Sequence, residues 1–217
     1  GDVTSMLYAA FGKTFNEKNK ELLNTPFAQF LKVTSEVRTL LKISGKQYLA
    51  ARLMGGVLWS YGNQTVAPYS EQFYIGGANS LRAFTVRSLG PGTYNPGKDA
   101  KYGYLDQTGD IKLEANVEYR FPIFDDLYGA TFLDAGNVWL MRKDGSRPGG
   151  QLKLRDFAKS IALNTGLGIR YDLDFLVVRL DLGIALHVPY DTGKSGYYNI
   201  PKFKDGLGLH FAIGYPF

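Results

Sequence analysis

Few residues in this chain have the type and spacing that covalent or metal chemistry needs. The two histidines, His187 and His210, stand apart, and neither belongs to an HExxH or other ligand spacing. Cysteine is absent, which removes disulfides and thiolate metal ligands. Gly76-Gly77 and Gly90-Pro91-Gly92 lack the strand-to-helix setting of a phosphate loop and read as turn residues. Although the formal charge is +5, no Lys/Arg run exceeds two residues, so the charge is scattered and no nucleic-acid partner is expected. No enzyme and no cofactor is expected from these residues; catalysis would need a further domain. What remains is electrostatic: charged side chains placed at every second position.

That placement is clearest from Asp110 to Phe121. Asp110, Lys112, Glu114, Asn116, Glu118 and Arg120 form one face, and Ile111, Leu113, Ala115, Val117, Tyr119 and Phe121 form the other. Strict period-two alternation predicts a strand with one apolar and one polar side. In a soluble sandwich the apolar face would meet a core; in a membrane barrel it would meet lipid, with the polar face lining a lumen. Alternation alone serves both. Mean hydropathy is −0.16, and no stretch approaches the roughly 20 apolar residues of a membrane-spanning helix. A barrel needs no such stretch, because its hydrophobicity is hidden in alternating strands of about ten residues. Generous glycine (26), tyrosine (15) and phenylalanine (14) agree with an all-β fold.

Eight strands are predicted: Ser5 to Phe15, Phe30 to Leu41, Tyr48 to Tyr61, Asp110 to Phe121, Leu127 to Met141, Ser160 to Asp172, Val177 to Val188, and Leu207 to Phe217. Their connections alternate between short and long. Ile43 to Gln47, Pro122 to Asp126 and Leu173 to Leu176 are short; Asn16 to Ala28, Gly62 to Gly109, Arg142 to Lys159 and Pro189 to Asp205 are long. Outer-membrane barrels have this asymmetry, with short periplasmic turns and long external loops. The predicted fold is therefore an antiparallel transmembrane β-barrel. Its interfacial aromatics would be Trp59, Tyr61 and Trp139 at the external end, with Tyr119, Phe121, Tyr171, Tyr215 and Phe217 at the periplasmic end.

The long Gly62 to Gly109 connection carries Gln72-Phe73-Tyr74-Ile75-Gly76-Gly77-Ala78-Asn79-Ser80-Leu81-Arg82-Ala83-Phe84, then Arg87-Ser88-Leu89-Gly90-Pro91-Gly92. It resembles the sixth-loop motif of the outer-membrane assembly-factor and translocase superfamily that includes BamA, TamA and the transporters of two-partner secretion. Phe132 to Trp139, Gly166 to Tyr171 and Val178 to Gly183 resemble later barrel segments of that family, in order. Ala83 departs from the motif, where glycine is usual; a positive φ there would be strained.

The resemblance implies a loop folded back into the lumen, its tip made of Gly76, Gly77, Ser80, Leu81, Arg82 and Phe84. In the family the arginine docks on acidic and aromatic wall residues, which match Glu118, Phe132 and Asp134. Strand parity independently turns these three inward. The family barrel has sixteen strands, of which these eight match the second half, and an eight-stranded barrel is too narrow to hold such a loop. Residues 1–217 are thus expected to be half of a larger barrel, with upstream strands and POTRA-type domains elsewhere in the parent protein.

The function so implied is insertion, assembly or translocation of proteins at the bacterial outer membrane, without cofactor or metal. The partners would be outer-membrane lipids, unfolded or nascent outer-membrane or secreted proteins, and accessory envelope proteins. The last strand, with Gly206, Gly208, Gly214 and terminal Phe217, would form a weak seam that opens sideways. The alternative is a simple pore or structural barrel whose lumen charges Lys112, Arg120, Arg170, Arg179 and Asp181 tune ion passage.

Overall fold

The computed structural model describes residues 21, 22, 25, 26, 28–62, 65–97 and 100–217. Two short strands, β1 (Glu21–Leu22) and β2 (Thr25–Pro26), pair with each other. The remaining seven form one antiparallel sheet in chain order: β3 (Gln29–Ser44), β4 (Gln47–Tyr61), β5 (Ile111–Phe124), β6 (Leu127–Trp139), β7 (Ala162–Asp172), β8 (Val177–His187) and β9 (Leu207–Ile213). Each strand pairs with its sequence neighbour, so the sheet is a meander. Among the described residues it does not close, and β3 and β9 are its edges. The first predicted strand, Ser5 to Phe15, lies outside the described residues.

Short and long connections alternate as the sequence indicates. The tight ends turn at Gly45, Asp125 and Asp174, all with positive φ, and Asp172 accepts the Asp174 amide 3.0 Å away to fix the last of them. The long connections after β4, β6 and β8 gather at the opposite end and carry short 3₁₀ turns.

Burial follows strand parity, inverted relative to a soluble domain. On one face Val37, Leu53, Val117, Leu133, Leu167, Leu182, Leu209 and Phe211 are exposed. On the other, Arg52, Glu114, Glu118, Arg120, Asp134, Arg170, Arg179 and Asp181 are buried. Apolar outside and polar inside is the membrane-barrel pattern. The apolar core is correspondingly small and lies where the long loop meets the inner wall: Phe73, Ile75, Leu81, Ala83 and Leu89 of the loop pack with Leu58, Val138, Ala162, Ala185, Val188 and Ile200.

Two predicted details need correction. Trp139 points outward by parity yet is only 1% exposed, because Phe157 of the β6–β7 connection stacks on it at 5.5 Å and its indole N–H donates to the Ser160 hydroxyl at 3.0 Å. It is a covered anchor, whereas Trp59 does stand exposed. The last strand ends at Ile213 instead of Phe217. Gly214 takes φ +86, which breaks the pleat, and Pro216 has no amide to continue a ladder. Tyr215 and Phe217 consequently leave the strand direction and lie near the buried Arg120, whose Cζ is 4.2 Å from the Tyr215 ring centroid.

Candidate functional site: a loop docked on the charged inner wall

The loop tip is a compact turn built on two glycines. Gly76 and Gly77 both have φ +101, a region that residues with a Cβ rarely enter, and a Cβ on Gly76 would collide with the Thr85 carbonyl. The Gly77 amide donates to the Phe84 carbonyl at 2.8 Å, the Phe84 amide to Leu81 at 3.1 Å, and the Gly76 amide to the Ser80 hydroxyl at 3.1 Å. Ile75 and Leu81 are fully buried and seat the turn on the wall. Ala83 is not among the positive-φ residues, so alanine is accommodated there without backbone strain.

From this turn Arg82 projects into the wall and is wholly inaccessible to solvent. Its Nε donates to Asp134 Oδ2 and its Nη2 to Asp134 Oδ1, both at 2.9 Å, and its own backbone amide reaches Oδ2 at 3.2 Å. Its Nη1 donates to Glu118, and the guanidinium lies 3.5 Å from the Phe132 ring centroid. The fork-to-fork pairing with a carboxylate and stacking over an aromatic face both need the planar guanidinium. Arg82 is therefore brought together with all three wall residues, Glu118, Phe132 and Asp134.

The wall extends the network well beyond those three. Asp134 also accepts Asn116 at 2.9 Å and Asn164 at 3.0 Å. Glu118 accepts Arg120 at 2.7 Å and Arg170 at 3.0 Å. Asp181 accepts Arg170 at 2.5 Å and Arg179 at 2.7 Å, and is 3.7 Å from Arg82. Buried charges are tolerable only when so paired, because each would otherwise lose its hydration without return. Every carboxylate here is taken up by guanidinium or amide donors. Among the described residues no cluster of His, Asp or Glu is arranged to hold a metal ion.

A second contact fixes the other flank of the tip. Ser80 donates to Glu114 at 2.7 Å, while Arg52, itself paired with Glu114, donates to the Asn79 carbonyl at 2.7 Å. On the far side Arg179 donates to the Ala78 carbonyl at 2.8 Å and the Asn79 side chain at 2.6 Å. Its Nε also donates to the Gly214 carbonyl at 3.0 Å. One side chain thus joins the loop tip, β8 and the kink that follows β9.

Between these polar clamps runs a feature the sequence reading missed. Phe132, Gly166, Gly183 and Gly208 are successive cross-strand neighbours on the inner face of β6 to β9. A Cβ on Gly183 would strike Arg82 and Ala83 backbone, and one on Gly208 would lie 2.8 Å from the Ala83 carbonyl group. The glycines form a shallow trough in which the loop backbone rests. Gly208, read from the sequence as a weak point of the seam, here makes room for the loop. Parity alone cannot reveal the trough, because the glycines align only once the strand register is known.

The remaining sequence candidates are placed as follows. Phe84 packs against the apolar cluster. Phe217 lies off the end of β9, its ring centroid 5.2 Å from Arg52 and 5.9 Å from both Arg82 and Arg120, and its carbonyl accepts Arg120 at 3.2 Å. His210 faces inward opposite Asp181. His187 ends β8 with its ring between the Tyr197 and Lys159 carbonyls, at 2.6 and 2.9 Å, and holds two long connections together.

Comparison with known proteins agrees with this architecture. Residues 10–217 match the Omp85 superfamily domain. Over 201 residues the chain is 26% identical to the outer membrane protein assembly factor BamA of Nitratidesulfovibrio vulgaris, covering 92% of this chain and 22% of that protein. Over 167 residues it is 28% identical to the sorting and assembly machinery component 50 homolog A of Xenopus laevis, covering 76% and 34%. The crystal structure of BamA from Haemophilus ducreyi lacking POTRA domains 1-3 has the same fold, with TM-score 0.59 at 17% identity, over 86% of this chain and 35% of that one. The chain spans about a third or less of the length of each of these proteins. By its matched domain, its open antiparallel sheet of outward apolar strands and its inward loop, the chain belongs to the Omp85 superfamily.

Proposed function

We propose that this chain is the carboxy-terminal half of a sixteen-stranded barrel that assembles or translocates proteins at a bacterial outer membrane. The reading is supported most by the buried Arg82, which holds the loop inside the sheet against Asp134 and Glu118. A plain pore needs an open aqueous lumen, whereas here the inner wall is occupied by the chain's own loop. An assembly factor can work without chemistry, by offering a strand edge on which an incoming strand hydrogen-bonds. β9 suits that role: it pairs with β8 over only the seven residues from Leu207 to Ile213, and kinks at once afterwards. Substrates would be unfolded outer-membrane or secreted proteins, and no cofactor enters the cycle.

The test is Arg82→Ala in the full-length parent protein, reconstituted in lipid vesicles. Insertion of an unfolded barrel substrate should fall while ion conductance rises as the loop is released. Unchanged insertion with altered conductance would instead establish the pore reading.

A further inference from the structure

Three long connections meet around a hollow of about 860 Å³ that none of the loop-tip residues 76–84 lines. Thr93 comes from the β4–β5 connection and Lys159 from β6–β7. Tyr190, Asp191 and Tyr197 come from β8–β9, beside His187 at the end of β8. A hollow of this size among the loops at the mouth of a β-barrel is a recurrent setting for a small ligand. Neither the charged wall network nor the β9 edge makes use of it.

The hollow is built around one aromatic plate. The Tyr197 ring lies 5° from parallel with the His187 imidazole, centroids 4.3 Å apart, and the imidazole is itself pinned between the Tyr197 and Lys159 carbonyls. Tyr197 is nevertheless 53% exposed, so the imidazole covers one ring face and leaves the other open. The backbone nearby is fixed as well. The Val188 amide donates to the Asn199 side-chain oxygen at 2.9 Å, the Asn199 side-chain amide donates to the Val188 carbonyl at 2.8 Å, and Lys194 donates to the Ile200 carbonyl at 3.0 Å. A ring held in this way loses little freedom when a second ring stacks on it.

Around the plate stand hydrogen-bonding groups of both kinds with capacity to spare. Among the described residues the Lys159 ammonium and the Tyr190 hydroxyl have no hydrogen-bond partner, and the Asp191 carboxylate accepts only the Gly193 amide, at 2.8 Å. An acyl chain would leave these groups unpaired. A bare phosphate would face the Asp191 carboxylate and have no use for the ring. A pyranose suits them all, because its C–H face is apolar and its hydroxyl rim both donates and accepts. We propose that this hollow is a saccharide-binding site, with the sugar ring stacked on the open face of Tyr197 and its hydroxyls bonded to Lys159, Tyr190 and Asp191. The inference goes beyond the assembly reading and does not rest on it.

Binding of the full-length protein to an array of bacterial surface oligosaccharides tests this, with the protein in phosphatidylcholine nanodiscs free of maltoside detergent. At least one oligosaccharide should be retained. Its affinity should fall on the order of tenfold in Tyr197→Ala, which removes the stacking face. Tyr197→Phe keeps the plate and should bind as the parent does. Lys159→Met removes the ammonium but not the carbonyl that His187 holds, and should weaken binding roughly threefold or more. Heat-modifiable electrophoresis would verify folding of each variant; Lys159→Met, an exposed side chain, carries the test should Tyr197→Ala not fold. Retention of no oligosaccharide above empty nanodiscs would overturn the site. So would binding that Tyr197→Ala and Lys159→Met both leave intact, which puts the saccharide elsewhere. Binding confined to charged glycans, abolished by Lys159→Met and untouched by Tyr197→Ala, would reduce the site to charge attraction and overturn it too.

Discussion

Arg82 and Asp134 meet fork to fork, two guanidinium nitrogens each 2.9 Å from a different carboxylate oxygen, with neither side chain accessible to solvent. The pair joins a loop to the wall across 52 residues of sequence. A buried pair of this kind adds little stability relative to a well-packed apolar one, but breaking it by removing one partner is expensive. Its contribution is therefore to position: the loop has one seat, defined by hydrogen-bond geometry.

Arg82→Ala should destabilise the folded barrel by about 3 kcal/mol, since it leaves Asp134 and Glu118 without their shared donor. Arg82→Lys should recover only a small part, because an ammonium cannot span both Asp134 oxygens. Urea midpoints of the full-length protein, read by heat-modifiable electrophoresis, would check both. Equal stability of the lysine variant and the parent would show that charge alone seats the loop.

Gly183→Ala and Gly208→Ala place a methyl group where the Arg82 to Ala83 backbone rests. Each should cost about 1 to 3 kcal/mol through overpacking. The distinguishing readout is limited proteolysis within the loop, which should accelerate strongly in both variants. Gly55→Ala, on the outer face where the added Cβ makes only an ordinary 3.9 Å contact with the Lys112 carbonyl oxygen, should leave the proteolysis rate unchanged.

Gly214→Ala tests the kink. No neighbour lies within 4 Å of the added Cβ, so any cost is backbone strain at φ +86, about 1 to 2 kcal/mol. Relief of that strain straightens the chain and withdraws the carbonyl that Arg179 holds. Faster hydrogen exchange of the β8 and β9 amides is the expected result.

In the β6–β7 connection, the Ser146 hydroxyl and then Arg147 hold the Asp144 carboxyl at about 2, with further help from the Ser146 amide. A carboxylate lowered on folding adds stability above its ordinary range and loses it as pH falls through its folded value. The local turn should thus persist from neutral pH down to about 3 and open near pH 2. Carboxyl carbon shifts of Asp144 would follow the titration, and an inflection near 4 would exclude the turn's hydrogen bonds.

How much of this was legible in the sequence depended on period and reach. Alternation located β3 to β9 and their inward sides, so Glu118 and Asp134 could be placed in the lumen from parity alone. The partner of Arg82 became visible only through the loop motif, since nothing local joins residues 82 and 134. The covering of Trp139 was invisible, because a connection folded onto a strand leaves no periodic trace. The early end of β9 had a signal that alternation overrode. Tyr215 and Phe217 kept the apolar rhythm, yet Pro216 could not extend the ladder, and Gly214 could leave it. The glycine trough required register, which pairs residues from three strands that have no sequence relation to one another.

The reach of Arg179 to Ala78, across 101 residues, has a consequence in time. The hairpins β3–β4, β5–β6 and β7–β8 join neighbours across tight turns and can form early, because the chain between their strands is short. The loop tip has no complete seat until β4 to β9 are paired, since its contacts are drawn from β4, β5, β6 and β8 and its backbone rests on Gly208 of β9. Long closures of this kind follow local ones. Docking of the tip is therefore a late event, and protection of the loop from protease during folding would register completion of the sheet.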